Sequence, residues 1–230
     1  MSRPGSRLSK ALTTHSILVA GLSLAHSLRT RGLRRTLLFA AVGSGIPILG
    51  ELFAIRVMRV LRHHVQPQAL GVPLAIALGW YNVGYGTFTL MESILSPTGP
   101  RAGERSRALV PATALAATSL DFLLDPCGLE LGLWEWSVDG QYASDVQGPN
   151  GKRGVPLLNF AGWLSLISGV TLAYQRLAPE RAAGWKTGRG AALLLLSYYL
   201  SAAAWTLKQR RPKQLIHSAP FAVALWASAR

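Results

Sequence analysis

The chain has one cysteine, Cys127, and only 10 acidic residues among 230. A single thiol excludes an internal disulfide framework and any zinc or iron–sulfur site built on several cysteines. Charge is scarce altogether: charged residues make up 15% of the chain, against roughly 25% in an ordinary soluble domain. There is no long Gly/Ser, Gln/Asn or Pro-rich tract and no internal repeat, which excludes a large flexible linker. The G-x-S-x-G, Walker A and dinucleotide glycine patterns are also missing, so nothing in the motifs points to a serine hydrolase or a nucleotide enzyme.

What is present is half apolar, 50% of residues, with 24 basic residues and a net charge of +14. Many apolar residues, few charges and a basic balance together describe a membrane protein. The alternative, nucleic-acid binding, fails on distribution. The basic residues stand in short clusters (Arg29 to Arg35, Arg56 to Arg62, Arg101 to Arg107, Arg181 to Arg189, Lys208 to Lys213) between long apolar runs. A nucleic-acid domain gathers its charge on one face; clusters that punctuate apolar segments suit helix ends meeting anionic headgroups. No nucleic-acid partner is expected.

Seven apolar stretches emerge, at 11–28, 36–55, 69–95, 108–124, 155–174, 190–207 and 215–229. They predict an all-α, polytopic transmembrane bundle of about seven spans, one integral-membrane domain over residues 1–230, multi-pass in the cell membrane. The third stretch is long enough to tilt or kink. The last is short and suits an interfacial helix. The first follows Arg3, Arg7 and Lys10 as a signal core would, but it is long for one and no clear small-x-small site follows; it is read as a retained helix. Lys and Arg divide equally between the two sides, so the positive-inside rule gives no orientation. Gly43, Gly45, Pro47 and Gly50 in the second stretch, and Gly79, Gly84 and Gly86 in the third, predict close helix packing and a kink. The connection 125–154 contains a short apolar piece from Cys127 to Trp136 and is expected to be re-entrant or interfacial, with Trp134 and Trp136 at headgroup level.

The scarce acids carry the chemistry. Glu51 and Glu92 lie inside apolar stretches, Asp121 lies near the end of the fourth, and Asp125 stands just before Pro126, where the helix is expected to end. Each could cap, pair with a nearby Arg or face water at a helix end. An ionisable residue in a span is nonetheless costly, and so a functional candidate. Asp121 and Asp125 are spaced i, i+4 and share one helix face. In a poorly hydrated place two such carboxylates have raised and split proton affinities, giving one acid and one base. Diphosphate binding through Mg²⁺ would need a second acidic motif of this spacing, which is absent; no metal is expected. His63 and His64 are adjacent and point to different faces. His15 and His26 stand about three turns apart and lack a third ligand, so packing or snorkelling outranks metal binding. Asn82 and Asn159 need hydrogen-bond partners in a span. Glu51, Asn82, Asp121, Asp125 and Asn159 are therefore expected to converge on one cavity open to lipid.

These residues carry a resemblance. Gly50-Glu51 after a Gly/Pro-rich run, Trp80-Tyr-Asn82, Asp121-Phe-Leu-Leu-Asp125-Pro126, Trp134-x-Trp136 and Gly154-Val-Pro156-x-x-Asn159-Phe160-x-Gly162-Trp163 resemble the integral-membrane carotenoid biosynthesis proteins that include the carotenoid hydratases (CruF type, among them bisanhydrobacterioruberin hydratase). They run from Gly50 to Trp163; the rest matches as hydropathy only. The segment 137–153 departs, with Gly148-Pro-Asn-Gly-Lys-Arg153 where the family tends to have a tyrosine-rich run. The resemblance implies addition of water across the terminal double bond of a ψ-end carotenoid, giving a tertiary alcohol. It implies a lipid-soluble carotenoid substrate lying in the bilayer, water as co-substrate, no cofactor, and association with other carotenoid enzymes. Asp121 or Asp125 would be the acid, and Glu51 would position or deprotonate the water. Trp80, Tyr81, Tyr85, Trp134 and Trp136 would stabilise the cation through their faces, and Asn82, Asn159, Phe160 and Trp163 would complete the substrate site. A reading from another class is a non-catalytic scaffold or small-solute carrier using the same intramembrane acids as proton or packing sites.

Overall fold

The computed structural model describes residues 4–95, 107–178 and 185–229. It is a bundle of helices running alternately up and down. These are α1 (Pro4–Arg31), α2 (Leu33–Leu52, continued by a π-helical turn Phe53–Val57), α3 (Leu74–Leu95), α4 (Leu109–Glu130), α5 (Leu157–Leu177) and α6 (Trp185–Lys208), with the shorter α7 (Pro212–His217) and α8 (Ala219–Ala229) closing the chain. Arg7–Arg31, Leu33–Val57, Leu157–Leu177 and Gly188–Lys208 are long and apolar enough to cross a membrane. They present Leu18, Leu22, Leu37, Leu49, Leu172, Leu193 and Leu200 outward, which fits a membrane protein whose outer surface meets lipid.

The third and fourth stretches differ from these four because neighbours surround them. α3 packs against α1, α2, α4, α6 and α8, and every residue from Trp80 to Glu92 is buried. A helix enclosed by protein need not be uniformly apolar, which is why Asn82, Thr87, Thr89 and three glycines sit in it. The final stretch is not one helix: it breaks at Ser218 into α7 and α8. At 1.5 Å per residue α8 is about 16 Å long, half of a ~30 Å hydrocarbon core.

Two boundaries fall elsewhere than the hydropathy places them. The third stretch does not begin as helix at residue 69. Its first residues form an antiparallel pair, β2 (Gln68–Ala69) with β3 (Val72–Pro73), because Pro67, Gly71 and Pro73 interrupt the chain. The fourth does not end before Pro126. α4 runs through it to Glu130 and ends at Gly132, which has φ +66. There Leu133 N–H reaches the Gly128 carbonyl and Gly132 N–H the Leu129 carbonyl, a Schellman ending that favours glycine. Pro126 lacks the N–H that would bond the Phe122 carbonyl, and the Tyr142 hydroxyl donates to that carbonyl instead, at 3.1 Å. Burial, with the Asp121 and Asp145 carboxylates nearby, pushes the Tyr142 phenol above its ordinary range, so it donates as a neutral hydroxyl.

The connection after α4 folds back on the bundle as strands. β4 (Trp134–Trp136) pairs antiparallel with β1 (Leu61–His63), which follows the π turn. β5 (Tyr142–Gln147) and β6 (Arg153–Val155) form a hairpin leading into α5. These strands lie at the end of the bundle where α1 begins, α2 and α4 end, and α3 and α5 begin. Of the basic clusters, residues 101–106 and 181–184 lie outside the described residues.

At the opposite end Arg31 of α1 donates to Glu92 of α3 at 2.7 Å and to Thr89 at 3.1 Å, both side chains of the pair being buried. Its guanidinium lies 5.2 Å from the centre of the Phe88 ring. Glu92 is therefore one half of a buried ion pair.

Candidate active site

The site is built around the ladder of β1 and β4. Antiparallel pairing sets His63 opposite Trp134, Arg62 opposite Glu135 and Leu61 opposite Trp136. Alternation then sends the first and third pairs into the bundle and leaves Arg62 and Glu135 on the outer face, 3.8 Å apart. Each inward-facing member of the first pair meets a carboxylate. His63 Nε2 lies 2.9 Å from Glu51 Oε2, and Trp134 Nε1 donates to Asp125 Oδ1. The His63 and Trp134 rings meet edge to face, 6.1 Å apart.

Glu51 stands at the last turn of α2. Its other oxygen, Oε1, accepts a bond from Trp80 Nε1 at 2.9 Å. Trp80 in turn lies against Trp163 of α5, with ring centres 4.0 Å apart. Asp121 and Asp125 share a face of α4, as i, i+4 residues must. Asn159, in the first turn of α5, bridges them: its amide donates to Asp121 Oδ2 at 2.7 Å and to Asp125 Oδ2 at 2.6 Å. Both amide hydrogens are thus spent on carboxylates. α5 starts where it does because Pro156 is extended and occupies the helix N-cap, which places Asn159 level with the end of α4.

All these groups line one cavity of about 460 Å³. Glu51, His63, Asp121, Asp125 and Asn159 form its polar end, and Trp80, Trp134, Trp136 and Trp163 its aromatic walls. Beyond them it continues between α1, α3 and α6, lined by Leu8, Leu12, Ile76, Val83 and Ala202. It is an apolar passage with acids at one end. A smaller space of about 120 Å³ on the other side of Glu51, Trp80 and Trp163 lies between α2 and α5.

Tyr81, Asn82, Tyr85 and Phe160 are not among the lining residues. The reason is helical geometry. On α3 the cavity sees Ala75, Ile76, Gly79, Trp80 and Val83, and Tyr81, Asn82 and Tyr85 turn to other faces. Asn82 donates to the Ser16 carbonyl and the Tyr198 hydroxyl. Tyr81 and Tyr85 pack around Phe39, and Tyr85 shares a hydrogen bond with His26 at 2.7 Å. Phe160 packs on Phe122 and Tyr142 beneath the hairpin. His15 and His26 do not converge: His15 lines the cavity and bonds Ser197, while His26 bonds Tyr85. Trp134 and Trp136 face the cavity as well as standing near the bundle end. His63, set aside on its sequence context, is a partner of Glu51; the signal that could have found it is that a buried carboxylate needs a donor.

Trp134 reaches Asp125 only because residue 128 is glycine. A Cβ there would overlap Cη2 and Cζ2 of the Trp134 ring. Gly128→Ala is expected to displace the indole and to destabilise the protein by about 1–3 kcal/mol. Thermal unfolding in detergent checks this, and adding Trp134→Phe should recover part of the loss.

Neither the curated proteins nor the solved structures contain a match to the chain. The model of one protein family does match, over residues 11–226. That covers nearly all of the bundle, including every residue of the cavity's acidic end. The chain belongs to the carotenoid biosynthesis protein family.

Proposed function

We propose that the protein hydrates the terminal double bond of a ψ-end carotenoid. The observation that carries this reading is the Asp121–Asn159–Asp125 bridge at the end of an apolar, tryptophan-walled cavity. Hydrating an unactivated alkene needs a strong acid held away from water, a shelter for a tertiary cation, and a base for the incoming water. Asp125 accepts from two N–H groups and Asp121 from one. Donors stabilise the charged form, so the proton of the pair sits on Asp121. In the proposed reaction Asp121 gives that proton to the less substituted alkene carbon. The cation forms on the carbon bearing the methyl groups, and the Trp80 and Trp163 faces stabilise it by ~0.5–2 kcal/mol each. Water adds its oxygen there, and Glu51 takes the proton released. A proton returns to Asp121 and one leaves Glu51, so the sum is alkene plus water giving a tertiary alcohol. The polyene body lies along the apolar passage toward α1 and α6.

Membranes containing the protein, supplied with a ψ-end carotenoid in water labelled with heavy oxygen, should yield product heavier by one labelled water. If the carotenoid is recovered unchanged, the proposal is wrong. Glu51→Gln keeps the side-chain shape and the acceptor for Trp80, turns an amide nitrogen toward His63, and removes the base. Its turnover should fall roughly 10²-fold or more, read by chromatography of the product.

A further inference from the structure

A second, polar cavity of about 330 Å³ lies outside the first, formed by the segment between the π turn and α3. Arg62, His63, His64, Gln66 and Gln68 line it. His63 is common to both cavities. It is 8% exposed, its Nε2 rests on Glu51, and its Nδ1 is buried with no hydrogen-bond partner among the described residues. A carotenoid lying in the apolar cavity would fill that passage, yet each turnover consumes one water and must exchange a proton at Glu51.

We propose that the polar cavity is the entrance for water and protons, and that His63 is its inner gate. The inference rests on the hydration reading above. His63 is a positioning residue that acts through Glu51. Nε2–H holds the Glu51 carboxylate, and Nδ1, without a hydrogen-bond partner among the described residues, keeps the lone pair that can accept from an entering water. After Glu51 has taken the proton from the attacking water, it passes that proton to the next water admitted past the ring, which Nδ1 holds as an acceptor; no bond other than O–H changes. The charged and titratable groups around the ring are Glu51 on α2, Asp125 on α4, Glu135 on β4, and its neighbours Arg62 and His64. His64 lies 3.2 Å from Glu135, which keeps the second imidazole on the outer side of the ladder.

Two measurements test this. The first needs no catalysis. In a chain carrying His63→Cys and Cys127→Ser, in open membrane fragments, a charged, water-soluble thiol reagent should modify the thiol introduced at position 63. A further Gln66→Trp at the exposed rim should slow that modification at least tenfold. Modification by lipid-soluble reagents alone, or a rate indifferent to Gln66→Trp, would overturn the entrance. The second reads turnover. His63→Gln keeps a donor to Glu51 but lacks the Nδ1 acceptor for the entering water, so kcat should fall at least tenfold with KM unchanged. His63→Gly should regain activity with added imidazole. Parent-like turnover in His63→Gln would overturn the gate. Should the parent itself fail to hydrate, the hydration reading falls, while the labelling experiment still decides whether the entrance exists.

Discussion

Asp121→Asn is expected to lower hydration of a ψ-end carotenoid by about 10²–10⁴-fold while the carotenoid still binds. The asparagine is the same size, so the bridge to Asn159 can be kept by turning one amide, and the cavity wall is not reshaped. What is lost is the proton. Binding survives because the apolar passage between α1, α3 and α6 holds the long body of the substrate and does not touch that proton. Asp125→Asn should act differently. Its two oxygens receive Trp134 and Asn159, and an amide nitrogen there would face a donor, so the local packing should loosen along with activity. Measuring turnover and carotenoid retention in membranes for each variant separates the two roles. Equal, parent-like turnover in both would remove the acid from the mechanism.

The second large effect concerns stability. Arg31→Met should destabilise the bundle by about 3–5 kcal/mol, because it takes the guanidinium away from the buried Glu92 carboxylate. The ion pair ties the end of α1 to α3 far from the cavity, so the loss should show in thermal unfolding and not in the chemistry of folded protein. The double change Arg31→Met, Glu92→Leu removes both charges and should recover most of that loss, since a buried ion pair replaced by apolar groups of similar volume is often neutral. A double variant as unstable as the single one would mean that packing around Phe88 and Tyr174, and not charge, holds this end together.

The helical architecture could be read from the sequence because hydropathy reports it directly. The stretches at 36–55 and 155–174 fall within a few residues of α2 with its π turn and of α5. The β1–β4 ladder could not be read. Its strands have three residues each, lie about 70 positions apart and show no alternation long enough to detect. With it went His63, whose role follows from standing opposite Trp134. Asp121, Asp125 and Glu51 were visible because acids are rare and costly in such surroundings. Tyr81 and Asn82 share a motif with Trp80, and Tyr85 its helix, but none of them its helix face. Pro126 marked a helix end by the usual rule, and Tyr142 overrode it by taking the carbonyl that the proline left free.

The ladder also sets a timetable for biogenesis. In chain order Asp121 and Asp125 come before Trp134 and Asn159, the residues that donate to them, whereas the partners of Glu51 (His63 and Trp80) lie in the first half of the chain. Pairing of β1 with β4 brings Trp134 to Asp125, and α5 then supplies Asn159. A chain halted before residue 134 would lack Trp134 and Asn159 as donors to Asp121 and Asp125, and its β1 would have no β4 to pair with.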